Sequence, residues 1–456
     1  MPNTPTDTAQ AINTQTSNTQ TTNTPNRPAL TILHTSDWHL GRRLYGQQRY
    51  AEFDAFLTWL TDTIEQQQVD VVIVAGDIFD TMTPSNKAQA LYYEFLGKIS
   101  QLHCQHVVIV AGNHDSPTFL DAPKTALKYL NVHIIGTACE DPRDEVLTLM
   151  DNQGNPYCIV TAVPYLRDRD VRGSIAGESS SDKDANVIAG IQAHYQQVAE
   201  HAKSIQSKLI ANHQCHIPII ATGHLFTVGG KTTDDDGVRD LYVGTLGQVS
   251  ASIFDDCFDY VALGHLHVPQ KVGGCEHIRY SGSPIAMGFG EARQQKQVLL
   301  VRFTHIDKKN QTDKQITSIA VPCFQPMAQI SGTLEQIEEK IHHAVTSLCQ
   351  ENNTQNRTLW LEVIYTGQEV VSDLREHIQT IISDLPCEVL KIKNTSTYNK
   401  VLQQQSDDET LQDLDEREVF ERCLDTYQIP DSQKPTLRQA YEQILYNIEH
   451  KDKQAE

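Results

Sequence analysis

Short, almost continuously apolar segments alternate with amphipathic segments along the first half of the chain. The apolar segments have the pattern of strands buried on both faces, and they lie at 30–35 (LTILHT), 69–76, 106–112, 132–136, 218–223 and 260–264. Residues 50–67 and 84–102 instead place apolar side chains at i, i+3 and i+4 spacing, which predicts helices; Pro84 stands near the start of the second. Strands that alternate with helices predict an α/β protein with a layered sheet.

The pattern changes after about Val321. Strand and helix patterns then follow in the order strand, helix, strand, helix, strand between 324 and 395, which predicts a small α+β unit. Further on, apolar residues at helical spacing predict two amphipathic helices, with Pro430 and Pro435 on either side of the turn between them. Two polar stretches, 173–187 and 307–315, are predicted to be surface loops.

The N-terminal segment is rich in Thr, Asn and Gln and has neither a basic start nor an apolar stretch. This composition predicts a disordered tail over residues 1–28 and is not that of a secretory signal. No run of about 18 apolar residues occurs, so the sequence predicts no membrane span. The ten cysteines include no C-x-x-C pair, which favours free thiols in a reducing cytoplasm.

The chain is acidic, with 37 Lys and Arg against 58 Asp and Glu and a formal net charge of −21. As an average this disfavours nucleic acid as a partner, because phosphate contacts dominate such binding. A local basic groove is still compatible with it. The stretch 41–49 (GRRLYGQQR) contains the candidate phosphate contacts Arg42, Arg43 and Arg49 and a residue that could stack on a base, Tyr45. The alternative is a solvated start of the helix that follows.

Polar side chains follow the predicted strands repeatedly, each close to the end of its strand. They are Asp37 and His39; Asp77 and Asp80; Asn113, His114 and Asp115; His224; and His265 and His267. A single Gly-His or Gly-Asp is usually a turn, but the repetition favours a site. In open α/β sheets ligands bind beyond the carboxyl ends of the strands, so these residues are expected at one edge of one sheet. Several buried carboxylates would repel each other without cations, which favours a metal centre.

The donor set narrows the metal chemistry. Asp37, His39, Asp77, Asn113, His224, His265 and His267 outnumber the four ligands of a tetrahedral zinc site. Mixed oxygen and nitrogen donors without thiolate suit Mn²⁺, Fe²⁺ or Mg²⁺-like ions. Two such ions bridged by one carboxylate form the usual arrangement for hydrolysis at phosphorus, in which a hydroxide between the ions attacks a phosphoester.

The series D-x-H, G-D-x-x-D, G-N-H-D, G-H and G-H-x-H resembles the calcineurin-like metallophosphoesterases. The resemblance implies ligands of a first metal (Asp37, His39 and His267), a bridging carboxylate (Asp77) and ligands of a second metal (Asn113, His224 and His265). It further implies that His114, without binding metal, contacts the scissile phosphate or protonates the leaving oxygen. Asp115 is expected to orient His114.

Longer strings narrow the resemblance. ILHTSDWHLGRRLYG, VVIVAGDIFD, VIVAGNHDSP, GHLHVPQ and RYSGSPIAMGFGE are similar to the SbcD family of bacterial nuclease subunits, over about residues 29–450. The implied fold is a layered metallophosphoesterase β-sandwich flanked by helices, followed by a small α+β capping domain and a C-terminal helix pair. The expected order is a tail (1–28), a nuclease domain (29–322), a capping domain (323–396), a linker (397–409) and a helical partner-binding segment (410–450). The tail departs from the family. Asp80 stands where related nucleases of other kingdoms often have histidine, so it receives no catalytic role.

The SbcD-like resemblance implies a metal-dependent DNA nuclease with 3′–5′ double-strand exonuclease and hairpin- or structure-directed endonuclease activity. Such an enzyme would act in the cytoplasm in DNA end processing, replication, recombination and repair. It would use two Mn²⁺ ions, with Mg²⁺ as the alternative, and a homodimer of this chain would join an SbcC-type ATPase in a heterotetramer. The alternatives are a phosphoesterase for small substrates and a non-catalytic scaffold of the same fold. The predicted capping domain and helix pair favour the nuclease, and the complete ligand set disfavours the scaffold.

Overall fold

The computed structural model describes residues 30–172, 179–213, 215–227, 230–231, 249–306, 312–350, 357–367, 371 and 373–395, with isolated residues between 420 and 441. The tail expected over 1–28 and the linker expected over 397–409 lie outside the described residues. So does most of the helical segment expected over 410–450.

Strands and α-helices are interspersed along the described part of the chain. The strands are β1 (Leu30–Thr35), β2 (Arg43–Leu44), β3 (Gln47–Gln48), β4 (Val71–Ala75), β5 (His106–Val110), β6 (Val132–Ile135), β7 (Val146–Met150), β8 (Pro156–Thr161), β9 (Ile219–His224), β10 (Tyr260–Gly264), β11 (Gln270–Val272), β12 (Cys275–Tyr280), β13 (Gln297–Ile306), β14 (Thr312–Ala320), β15 (Met327–Gly332), β16 (Leu359–Tyr365) and β17 (Cys387–Asn394). The α-helices are α1 (Tyr50–Gln66), α2 (Asn86–Ile99), α3 (Pro117–Asp121), α4 (Lys124–Leu127), α5 (Asp168–Val171), α6 (Ser180–His213), α7 (Leu334–Gln350) and α8 (Leu374–Ile382).

The first sheet has the strand order β14-β13-β1-β4-β5-β6. Strands β1, β4, β5 and β6 are parallel, and β13 and β14 join the edge beside β1 as an antiparallel pair. Every residue of β1, β4 and β5 is buried, which confirms the prediction from their apolar runs. Helices α1 and α2 pack their apolar stripes against one face, and the Ser85 side chain caps α2 by accepting a hydrogen bond from the Ala88 backbone.

The second sheet has the order β11-β12-β10-β9-β8-β7, and α6 covers one of its faces through Val187, Ile191 and Tyr195. The loop predicted over 173–187 is therefore wrong from residue 180 onward. Its Ser and Asp residues suggested a turn, but the apolar residues that follow at helical spacing bind this segment to the sheet as a helix. The loop predicted over 307–315 is likewise wrong at 312–315, because those residues begin β14 and pair with β13.

The two sheets face each other across a shared apolar core. Ile32 and Ile73 of the first sheet and Val160 and Ala262 of the second belong to one buried cluster. This arrangement confirms the layered β-sandwich flanked by helices that the resemblance implied. The alternation of strands and helices alone had suggested that the polar strand ends belong to a single sheet. They are in fact divided between the two sheets.

A third sheet, β15-β16-β17, is fully parallel and carries α7 and α8 on one face. Its Trp360 packs with Leu44 and Phe289, which belong to the preceding two-sheet part, in a small apolar cluster. Farther along, the rings of Phe420 and Tyr441 stack with centroids 4.0 Å apart. Within the described part of the chain, no helix combines the length and apolar character that a membrane crossing requires.

Candidate metal centre

The strand ends of both sheets meet at one place in the sandwich. Asp37 and His39 follow β1, Asp77 follows β4, Asn113 and His114 follow β5, His224 ends β9, and His265 and His267 follow β10. The structure thus brings together all the metal-ligand candidates of the sequence. Asn113 and His114 are half-buried, and the others are buried.

Glycines allow the two sheets to approach closely here. Gly76 has a φ of +89°, and a Cβ atom on it would overlap the His224 ring. A Cβ on Gly264 would overlap the carbonyl oxygen of Ala75 in the opposite sheet. Any side chain at these positions would push apart the segments that carry the candidate ligands.

The backbone itself is constrained at the site. Asp37, His39, Asp77 and His265 all adopt positive φ, at 54°, 48°, 52° and 100°. Such conformations cost roughly 1–3 kcal/mol each for residues with a side chain and concentrate at functional sites. The loops after β1 and β4 are also joined by backbone hydrogen bonds, from Asp37 N to Gly76 O (2.9 Å) and from His39 N to Asp77 O (3.0 Å). The surrounding structure therefore holds these loops in strained conformations.

Asp37, His39 and His267 form one group, whose donor atoms all lie within 4.8 Å of one another. Nε2 of His39 lies 3.2 Å from Nε2 of His267. Two imidazole nitrogens that face each other at this distance need a proton or a cation between them. Asp37 is fixed by its neighbours, because it accepts hydrogen bonds from the His265 backbone N–H (2.9 Å) and the Ser36 hydroxyl (2.5 Å). This donor set fits a divalent metal ion.

Asp77 lies between this group and the remaining candidates. Its Oδ2 is 3.6 Å from Nε2 of His39 and 3.3 Å from Nε2 of His224. Asn113 completes the second group, since its Oδ1 lies 3.0 Å from Nε2 of His224 and 3.1 Å from Nδ1 of His265. A carboxylate that contacts both groups has the position that a bridging ligand requires.

The electrostatics of the cluster are those of a site that binds cations. Burial would raise the pKa of Asp77, but the nearby His224 and His39 hold it well below its usual range. Burial would lower the pKa of His224, but the Asp77 carboxylate raises it to about 9. Burial and the charge of His224 lower the pKa of His265 to about 3. A histidine proton thus compensates the buried carboxylate, and a bound metal ion would replace that proton.

His114 has a different environment from the other histidines. Its backbone N–H donates to Oδ1 of Asp77 (2.9 Å), and its Nδ1 donates to the carbonyl oxygen of Asp80 (2.9 Å). The carbonyl fixes the proton on Nδ1, so Nε2 is the nitrogen left for proton exchange. His114 also forms a possible three-residue donor group with His39 and Asp77, so the geometry admits it as a ligand.

The expected role of Asp115 is wrong. Its carboxylate is buried and accepts hydrogen bonds from the backbone N–H groups of Gly112 (2.8 Å), Ile78 (3.2 Å) and Phe79 (2.9 Å). Asp115 therefore joins the loops after β4 and β5 and does not orient His114. The sequence suggested a contact with His114 because that residue is adjacent. In the structure the Asp115 carboxylate is instead occupied by backbone N–H groups, including those of Ile78 and Phe79 after β4.

Asp80, which the sequence left without a role, faces His39. Its Oδ1 lies 3.5 Å from Nδ1 of His39 and accepts a hydrogen bond from Arg42 (3.2 Å). Burial would raise the pKa of Asp80, but His39 and Arg42 lower it. An ionised carboxylate behind a ligand histidine is a common supporting contact in metal sites.

The four candidate DNA contacts differ in their exposure. Arg43 is exposed, whereas Arg42 is half-buried and donates a hydrogen bond from Nη1 to Asp80 (3.2 Å). Tyr45 is 43% exposed, but its ring stacks on Phe289 with centroids 5.8 Å apart and lies 4.4 Å from the Lys391 ammonium of the third sheet.

The prediction for Arg49 is corrected, because its side chain is 2% exposed and its Nε donates to Glu52 at 2.7 Å. Arg49 immediately precedes α1 and points toward the protein interior, a direction that the sequence did not reveal. It cannot contact DNA from this position.

Sequence reasoning also missed Glu291 and Lys296. Glu291 lies against His267, with Oε1 3.4 Å from Nδ1, and pairs with Lys296. Glu291 ends the string RYSGSPIAMGFGE. The sequence shows only that a glutamate follows a mostly apolar stretch. Spacing along the chain could not reveal that Glu291 contacts His267 and Lys296.

Comparison with known proteins agrees with this geometry. A family model described as calcineurin-like phosphoesterase matches residues 30–269, and one described as type 5 capsule protein repressor C-terminal domain matches residues 323–428. The SbcD subunit of the nuclease SbcCD from Escherichia coli strain K12 is 36% identical over 419 residues, which cover 92% of this chain and 98% of that protein. The corresponding SbcCD nuclease subunits from Rhodobacter capsulatus and Bacillus subtilis are 35% and 32% identical over 268 and 277 residues, 58% and 60% of this chain and 64% and 66% of those proteins.

Proposed function

Because the chain belongs to the SbcD nuclease subunits within the calcineurin-like phosphoesterase family, we propose that it cleaves the phosphodiester backbone of DNA at the metal centre between its two sheets. Its class, a metal-dependent nuclease, follows from that membership. The observation that carries the proposal is the meeting of oxygen and nitrogen donors from five strand ends, with two imidazole nitrogens 3.2 Å apart and a carboxylate between two donor groups.

We assign the donors to two ions. Asp37, His39 and His267 would hold the first ion, Asn113, His224 and His265 the second, and Asp77 both. Oxygen and nitrogen donors without thiolate suit Mn²⁺, Fe²⁺ or Mg²⁺-like ions, and the resemblance to the SbcD family supports Mn²⁺, with Mg²⁺ as the alternative. When bound by these residues, two divalent ions would supply water activation and neutralisation of the charge that develops on the phosphate oxygens.

The residues of the chain supply the remaining steps. The Asp80 carbonyl holds the Nδ1 proton of His114, so that Nε2 can carry a second proton to the leaving oxygen. The hydrogen bond from the His114 backbone N–H to the Asp77 carboxylate fixes the distance between the proposed general acid, His114, and the bridging carboxylate. Asp80 also keeps His39 oriented through its carboxylate.

The names of the relatives, which are subunits of a nuclease called SbcCD, support a nucleic-acid substrate and an SbcC partner for this chain. We propose 3′–5′ exonuclease activity on double-stranded DNA and endonuclease activity on hairpins, in the cytoplasm and together with an SbcC-type ATPase. A homodimer of this chain would carry two ATPase chains. The net charge of −21 implies weak DNA binding by this chain alone, so the ATPase would supply much of the affinity.

Within the chain, the nuclease domain would span 29–322 and the capping domain 323–396. The segment 410–450 would bind the ATPase. Arg42, Arg43 and Tyr45 are the proposed DNA contacts; Tyr45 reaches the junction with the third sheet through Lys391.

The test is a cleavage assay of the purified chain on linear and hairpin DNA with Mn²⁺ or Mg²⁺, with and without an SbcC-type ATPase. We expect metal-dependent cleavage of both DNA forms that the ATPase accelerates. Hydrolysis of small phosphoesters without DNA cleavage would favour the phosphatase alternative. Inactivity even with the ATPase bound would favour the scaffold.

A further inference from the structure

A buried polar segment lies behind the first group of metal-ligand candidates. It follows β12 and includes Ser281, Ser283, Glu291 and Lys296, whose exposed fractions are 0%, 0%, 0% and 6%. A buried glutamate and lysine are costly unless each makes specific contacts. The contacts of Glu291 and Lys296 therefore indicate which neighbouring groups this segment holds in position.

One oxygen of Glu291 is fully engaged by this segment. Oε2 pairs with the Lys296 ammonium and accepts a hydrogen bond from the Met287 backbone N–H (3.0 Å). Lys296 is itself anchored, because it donates to the Ser283 hydroxyl (3.0 Å) and to the carbonyl oxygen of His267 (3.3 Å). The carboxylate is thus fixed in position through Oε2.

The other oxygen faces a ligand candidate. Oε1 of Glu291 has no hydrogen-bond partner among the described residues and lies 3.4 Å from Nδ1 of His267. The opposite nitrogen of that ring, Nε2, faces His39 in the metal-ligand group. A histidine that binds metal through Nε2 carries its proton on Nδ1, and a fixed carboxylate on that side selects this tautomer.

We infer that Glu291 is a positioning residue for the first metal ion, with Lys296 as its anchor. Glu291 holds the His267 ring in the tautomer and orientation that present Nε2 to the ion. This inference rests on the proposed two-metal function. It concerns one of the two ions, because Glu291 contacts His267 of the first group and, within the described chain, no ligand candidate of the second.

The chain contains a matched control for this pair. Glu145 is also a fully buried glutamate beside a histidine, with Oε2 2.7 Å from Nε2 of His194. Its other oxygen accepts the Cys139 backbone N–H (2.8 Å). This pair joins α6 to the segment before β7, apart from the metal-ligand candidates. A change in Glu145 should affect folding stability without affecting metal binding.

The experiment compares Glu291→Gln and Glu145→Gln in the full chain. Each protein is freed of metal, and Mn²⁺ binding is measured by titration calorimetry and by the electron paramagnetic resonance of free Mn²⁺. We expect Glu291→Gln to lose about 10–100-fold in affinity for one ion and to keep the affinity for the other. Its DNA cleavage rate should recover as Mn²⁺ is raised, which a general loss of structure would not allow. Glu145→Gln should bind both ions like the wild type, with a lower melting temperature.

Unchanged Mn²⁺ affinities in a folded Glu291→Gln protein would overturn the inference. Failure of the wild type to bind two ions would instead refute the proposed function, and the inference with it. If Glu291→Gln does not fold, Lys296→Gln takes its place, because it removes the anchor of Glu291. The same selective loss of one ion would support the inference, and two unchanged affinities would refute it.

Discussion

Replacement of His114 by alanine separates catalysis from metal binding at this site. The His114 side chain donates a hydrogen bond from Nδ1 to the Asp80 carbonyl and is half-buried. The hydrogen bond to the bridging carboxylate of Asp77 comes from the His114 backbone N–H, so it remains after the substitution. The proposed metal ligands therefore stay in place.

The two expected effects differ greatly in size. Loss of the side-chain hydrogen bond should lower the free energy of unfolding by about 1 kcal/mol. Loss of a general acid should slow cleavage by about 10²–10⁴-fold. At about 1.36 kcal/mol for each factor of ten, this corresponds to roughly 2.7–5.4 kcal/mol in the transition state. The activity should thus fall far more than the stability.

The assay measures single-turnover cleavage of linear double-stranded DNA at saturating Mn²⁺, together with the metal content by elemental analysis. A nitrophenyl phosphodiester serves as a second substrate, because its leaving group needs little protonation. We expect His114→Ala to slow DNA cleavage strongly and cleavage of the nitrophenyl ester much less. His133→Ala, which removes a half-buried histidine of β6 away from the centre, is the control and should leave both rates unchanged.

Cleavage of DNA by His114→Ala within tenfold of the wild-type rate would refute the acid role. Loss of a metal ion in this variant would show instead that His114 is a ligand, which its proximity to His39 and Asp77 permits. An equal loss of rate on both substrates would also exclude leaving-group protonation as its function.

Three further predictions concern the bridge, the response to acid and the junction with the third sheet. Asp77→Ala should lose both ions because its carboxylate lies between the two donor groups; elemental analysis that finds two bound ions would refute the bridge. Burial and the neighbouring His106 lower the pKa of His133 from 6.5 to about 4, so the folded state resists its protonation and stability should fall as pH drops from about 6.5 to about 4. His133→Gln should flatten the dependence of melting temperature on pH in that window, and an unchanged slope would contradict this. Tyr45→Ala should cost about 1–2 kcal/mol in denaturant unfolding, because it removes the ring stacking on Phe289 and the contact with Lys391, and it should slow DNA cleavage. Tyr45→Phe keeps the ring stacking but loses the hydroxyl that accepts a hydrogen bond from Lys391 (2.5 Å), so its effect on stability should be smaller than that of Tyr45→Ala. Wild-type stability and cleavage in Tyr45→Ala would refute both roles of Tyr45.

The sequence was informative wherever local patterning decides the structure. Helix α1 was predicted to within a residue at its C-terminal end, because its apolar side chains recur at helical spacing. Strands β4 and β5 were likewise evident from apolar runs that burial on both faces requires. Helix α6 was missed: no helix was predicted over Ser180–His213, and its first turns were assigned to a loop because they contain residues that favour loops. Contact with the second sheet stabilises them as a helix.

For the metal centre too, some features could be predicted from the sequence and others could not. The identities of the ligand candidates, from Asp37 to His267, were present in the sequence as polar residues at strand ends. Their assignment to two sheets was not, because strand alternation does not reveal which strands pair. The burial of Arg49 and the contacts of Asp115 also depended on neighbours distant in the chain.

The sequence by itself thus determined those elements whose apolar pattern is local, such as α1, β4 and β5, together with the donor atoms and the class of chemistry, since each depends on residue type and local spacing. Only the tertiary structure decided that His224, His265 and His267 approach Asp37 and Asp77 from a second sheet. It alone placed Glu291 behind His267. The physical reason is that burial and electrostatic pairing act between segments far apart in the chain, where spacing along the sequence contains no information about distance.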